Sequence, residues 1–163
     1  MTIKQFELFH GAVLTKLVRS DQTRTLRMIE TRPGEAWAVY TINDAADLFL
    51  KHSASARVLT REPGGFSWQF AFGPEQVSQI HERQASRQVY VGLVCGQSDA
   101  KQGKMQICFL HPDELAKLID FEDASTQSIT VRYIPRRKLK VCSGNVGLSV
   151  SQNALDQWDV PGS

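Results

Sequence analysis

Residues 42–59 read INDAADLFLKHSASARVL, and the architecture turns on Asp47-Leu48-Phe49-Leu50-Lys51 at their centre. Side chains alternate between the two faces of a strand, so Asp47, Phe49 and Lys51 share one face and Leu48, Leu50 and His52 the other. DLFLKHS is predicted to be a strand. The plain structural account makes it an edge or half-exposed strand with its charges in water.

The neighbouring segments supply its context. Upstream, Phe6, Phe9, His10, Val13, Leu14 and Leu17 recur at the spacing of one helical face. Thr2 and Gln5 have capping-box spacing, and SDQTR (20–24) ends the helix. TLRMIET and AWAVYTIN then read as strands joined by a turn at Pro33-Gly34-Glu35. Downstream, FSWQFAF alternates Phe66, Trp68, Phe70 and Phe72 against small or polar residues, the pattern of a strand with one apolar face. Gly73-Pro74-Glu75 starts a second helix, with Val77 and Ile80 facing inward.

QVYVGLVC is apolar on both faces, as in a central strand covered on both sides. SDAKQGK turns into MQICFL, and His111-Pro112-Asp113 opens a third helix. SITVRYI and KLKVCS form a last hairpin. Connections made mostly by hairpins predict a single α+β domain over residues 1–150, a mixed, mostly antiparallel sheet packed with about three helices. Residues 151–163 read as a loosely held polar C-terminal tail.

The chain has 163 residues, 42% hydrophobic and 22% charged, with a net charge of +2. Such a charge implies no polyanion partner by itself, so any such partner must be met by a local cluster. The N-terminus lacks the features of a signal peptide, and no window approaches the roughly 20 apolar residues of a membrane span. A soluble, cytoplasmic protein with no membrane partner is expected. Cys95, Cys108 and Cys142 are far apart and form no CxxC pair, which fits reduced thiols, and Cys95 and Cys108 lie in apolar runs that predict burial. There is no HExxH, GxSxG, GxGxxG or P-loop pattern, so histidine-ligated metal, serine-type hydrolysis and the common nucleotide folds are disfavoured. His10 is expected to be a packed, hydrogen-bonded core histidine.

A helix carrying an acid (Glu7), hairpin strands, a strand ending in Lys51, a helix and an apolar strand together resemble, in element order, the restriction-endonuclease-like (PD-(D/E)xK) superfamily. The resemblance spans about the first 120 residues of the chain. It implies a metal-dependent nuclease in which Glu7, Asp44 or Asp47 would hold Mg²⁺ and Lys51 would assist; no other cofactor is implied. The motif departs from the pattern at Phe49, which stands two residues before the lysine where the family has an acid.

The densest local charge is VRYIPRRKLK, in which Arg132, Arg136, Arg137, Lys138 and Lys140 meet no acid. A basic hairpin suits a phosphate backbone, and Tyr133 is placed to stack on a base. Lysines that guard a sheet edge are the alternative account. The leading expectation is a non-catalytic nucleic-acid-associated or interaction module whose partner is DNA or RNA. The alternatives are the nuclease and a homodimer joined through an edge strand such as TLRMIET.

Overall fold

A computed structural model describes residues 2–19, 25–32, 36–97 and 105–162. The turns assigned to 20–24, 33–35 and 98–104 lie outside the described residues. Helix α1 (Gln5–Val18) is followed by strands β1 (Leu26–Arg32), β2 (Trp37–Ile42), β3 (Ala46–Ser53), β4 (Arg57–Val58) and β5 (Phe66–Phe72). Next come α2 (Pro74–Gln84), β6 (Gln88–Cys95), β7 (Gln106–Leu110) and α3 (Pro112–Leu118). The chain ends with β8 (Gln127–Tyr133), β9 (Leu139–Ser143) and β10 (Val146–Val150). The α+β class with mostly antiparallel pairing holds, but the strands divide between two five-stranded sheets where one was expected.

The first sheet has the order β1-β2-β3-β6-β7, and β3 pairs in parallel with β6. A parallel neighbour requires a crossover, which β4, β5 and α2 supply. The second sheet, β10-β9-β8-β5-β4, is antiparallel throughout. β3 is therefore a central strand, not an edge, and every residue from Ala46 to His52 is buried. β2 is buried along its whole length and β6 from Val89 onward. Such continuous burial marks a sheet covered on both faces.

Two cores result. One lies between the sheets, where Trp37, Val39 and Phe49 meet Trp68, Phe70 and Val131, and α2 and α3 close it with Ile80 and Leu115. The other lies on the far face of the first sheet, where α1 sets Phe9, Val13 and Leu17 over Leu48 and Leu50. Gly96 is required there, because a Cβ would come within 2.5 Å of the Phe9 ring.

The C-terminal segment belongs to this second core and is not a loose tail. Leu155, Trp158 and Val160 are buried, and the Trp158 ring centroid lies 4.5 Å from Tyr90 and 4.7 Å from Phe109. Its polar residues, such as Asn153 and Asp156, face water. The start of α1 also differs from the capping box expected at Thr2 and Gln5. Lys4 is the N-cap, and its backbone N–H donates to Glu7 Oε2 at 2.8 Å.

Candidate functional site

β3 delivers its side chains to two separate environments. Asp47, Phe49 and Lys51 face the region between the sheets, and Leu48, Leu50 and His52 face α1. The alternation read from DLFLKHS is correct, and burial on both faces makes it consequential.

Asp47 is 1% exposed and fully engaged. Thr41 Oγ1 donates to its Oδ1 at 2.8 Å; Arg83 and Arg87 lie 3.3 and 3.8 Å away. The two arginines are four residues apart on and just beyond α2, so both reach the same carboxylate. A cavity of about 230 Å³ lies over this group and is lined also by Gln79, Glu82 and Ser86. Arg83 and Arg87 were not singled out in the sequence; their four-residue spacing was legible, but their meeting with Asp47 depends on how α2 packs.

Lys51 is 7% exposed. Its ammonium donates to the Ala71 carbonyl and, at 2.6 Å, to Gln76 Oε1, and it sits 5.0 Å from the centre of the Phe72 ring. These contacts anchor the amine between the sheets. Phe49, at the position where the nuclease pattern has an acid, stacks on Trp37 at 5.1 Å and is part of the core.

Glu7 does not join them. It is exposed, caps α1, and belongs to the helix covering the opposite face of the first sheet. Asp44 is exposed in the β2–β3 turn, 3.7 Å from Arg27. Among the described residues, no group of three or more His, Cys, Asp or Glu side chains is placed to hold a metal.

A buried polar pair that the sequence did not suggest lies between α1 and β3. His10 Nε2 and His52 Nδ1 are 3.0 Å apart, with the residues 1% and 8% exposed. His10 is thus the packed, hydrogen-bonded core histidine expected, and its partner is a second histidine. Phe6 lies 4.2 Å from the His10 ring and Phe9 lies 5.3 Å from the His52 ring. Burial, reinforced by His52, pushes His10 down to about 4, while the Ala36 carbonyl works weakly the other way. Burial and the Lys51 charge lower His52 as well. Both shifts favour neutral rings at pH 7, and a direct N–H···N bond between them needs one ring to donate and the other to accept through an unprotonated nitrogen.

The basic hairpin is assembled as a unit. Arg132 on β8 and Lys140 on β9 are directly opposed in register. Arg136, Arg137 and Lys138 are exposed at the turn, which closes with the Arg137 N–H donating to the Ile134 carbonyl at 3.1 Å. Arg136 takes a left-handed φ of 66°. None of the five cations has a carboxylate within ion-pair distance among the described residues. Tyr133 does not stand out as a stacking ring. It is half-buried and packs against the core between the sheets, because β8 turns every second residue inward.

The first sheet defines a class of architecture: a β-layer covered by α1 on one face and by a second β-layer on the other. In comparisons with protein-family models, curated proteins and solved structures, no match to this chain emerged. No helix among the described residues is long and apolar enough to cross a membrane.

Proposed function

We propose that this chain is a nucleic-acid-associated module, without catalytic chemistry of its own, that engages a phosphate backbone through the β8–β9 hairpin. The observation that carries this reading is the opposition of Arg132 and Lys140 beside the exposed Arg136, Arg137 and Lys138, with no described carboxylate among them. Like charges directly opposite one another destabilise a strand pair. Edge protection does not account for them, because β8 lies between β5 and β9, and β9 lies between β8 and β10. A non-catalytic role is supported by Phe49 in the core and by Glu7 on the far side of the sheet.

The test is binding of labelled DNA and RNA at low ionic strength. A log-affinity against log-salt slope of about −3 to −4 is expected for a hairpin neutralising roughly four phosphates. Arg136→Glu with Arg137→Glu weakens binding to all sequences alike. Absence of binding to both DNA and RNA at low salt sinks the reading.

A second reading rests on β1. It is the outer strand of the first sheet, and Met28 and Ile29 are 57% and 39% exposed. A free edge with apolar side chains suits pairing with a second copy of the chain. A mass by light scattering that stays at 18.3 kDa as concentration rises refutes it.

A further inference from the structure

We infer that the whole outer face of the second sheet is the docking floor, that it extends to Arg57, and that its occupant is a nucleic-acid duplex held by its backbone alone. This rests on the hairpin reading above and adds a surface, a residue and a form of nucleic acid to it.

Strand register carries the inference. Trp68, Phe70, Ile129, Val131, Leu139 and Val141 point inward, so their chain neighbours point outward. The pairing Arg57↔Ser67, Ser67↔Arg132, Arg132↔Lys140 and Lys140↔Ser149 runs one straight row across all five strands of this sheet. Arg57, Arg132 and Lys140 therefore stand in a line on one face. At about 4.8 Å per strand, the line spans about 14 Å. That reach is comparable with the roughly 12 Å width of a major groove, so its ends meet phosphates on opposite banks.

Behind this row the floor is flat. Gln69, Thr130, Cys142 and Gly147 form the next row, and Ala71 is paired with Ser128 beyond it. No acid lies on these rows. Apart from Gln69 the side chains are small, so a bulky partner can approach the sheet closely. Nothing in the described structure covers them: Gln69, Ala71, Gly147 and Ser149 are exposed, and Ser128 and Thr130 are partly so.

Among the described residues no aromatic side chain lies on this face, since Phe66 and Tyr133 pack against the inner core. Single-strand binders depend on aromatic stacking of exposed bases, and this surface offers none. A duplex hides its bases and presents phosphates, which a flat face with a cationic row can meet. Binding is therefore independent of base sequence.

The experiment compares a labelled 20-base-pair duplex with a single strand of the same length, by fluorescence anisotropy at low salt. The proteins are the full chain, Arg57→Glu, Thr130→Glu, Arg136→Glu/Arg137→Glu and Lys4→Glu. The last places the charge change of Arg57→Glu at the exposed start of α1, the helix that covers the opposite face of the first sheet. Duplex binding tighter than single-strand binding is expected. Arg57→Glu and Thr130→Glu should each weaken duplex binding about tenfold, with Arg57→Glu lowering the salt slope by about 1, and Lys4→Glu should have much less effect. If both floor variants bind as the unaltered chain does while the hairpin variant fails, the floor is refuted and the hairpin reading stands. Tighter binding to the single strand refutes the duplex as occupant. If the unaltered chain binds neither, the hairpin reading falls as well.

Discussion

Acid should loosen this protein through His10, and the effect can be worked from the structure. The ring is 1% exposed, and burial beside His52 pushes it from an ordinary 6.5 down to about 4. The unfolded chain therefore takes up a proton near pH 6.5 that the folded chain refuses until about pH 4. Stability falls wherever the unfolded state binds more protons. The contribution is complete above pH 6.5 and is lost as pH drops towards 4, at up to about 1.4 kcal/mol per pH unit. Between pH 7 and pH 5 the loss from His10 alone is about 2 kcal/mol. His52 is lowered too and acts in the same direction. Most exposed carboxylates titrate below about pH 5, so this window isolates the histidines. The assay is urea unfolding followed by tryptophan fluorescence at pH 7, 6 and 5, on the parent chain and on His10→Gln. Glutamine keeps a hydrogen-bonding group facing His52 but does not titrate. The parent should lose about 2 kcal/mol more than the variant over this interval, with an unchanged denaturant slope. An equal loss in both proteins refutes the assignment of acid sensitivity to His10.

Other substitutions report on separate parts of the fold. Trp158→Ala should cost about 3–5 kcal/mol in urea unfolding because it removes the ring packed on Tyr90 and Phe109; a change below about 0.5 kcal/mol would show that the C-terminal segment is not core. Gly96→Ala should cost about 1–3 kcal/mol by driving a methyl into the Phe9 ring, and Phe9→Leu in the same chain should recover part of it; no recovery removes the steric explanation. Phe49→Glu restores the nuclease spacing in the sequence but should lower the unfolding midpoint sharply and give no magnesium-dependent cleavage. A stably folded variant that cuts DNA would overturn the assignment of that position to the core. Asp47→Ala should cost about 2 kcal/mol, because it strands the buried Thr41 hydroxyl and releases two arginines that are partly solvated; a neutral result means that the Arg83 and Arg87 contacts contribute nothing.

Local patterns carried most of the element list. The alternation in FSWQFAF became β5 with Trp68, Phe70 and Phe72 inward, and the apolar run QVYVGLVC became the doubly covered β6. The division into two sheets was harder to see, because β3 pairs with β6 and β5 with β8 across long stretches of chain. Periodicity within a segment does not name its partner. β10 escaped notice because Val146-Gly147-Leu148-Ser149-Val150 is short and includes a glycine, a weak strand former. Leu155, Trp158 and Val160 escaped because three apolar residues in a polar stretch show no helical or strand period. At the candidate site, Phe49 in the acid position was visible in the sequence. That Glu7 lies across the sheet from Asp47 was not, since it depends on which face of β3 α1 covers.

The contrast between the two sheets bears on where function lies. In the first sheet the ionisable side chains of β3 are consumed by the fold: Asp47 by Thr41 and two arginines, Lys51 by Ala71 and Gln76, His52 by His10. Their chemistry is accounted for by the need to satisfy buried polar groups. The second sheet has one inner face that explains its apolar residues and one outer face that the core does not explain. On such a face, stability alone favours opposite charges in cross-strand pairs. Arg132 opposite Lys140, with Arg57 in the same row and no acid between, runs against that preference. A polyanion laid across the row reverses the sign of the interaction, turning repulsion within the sheet into attraction for a partner.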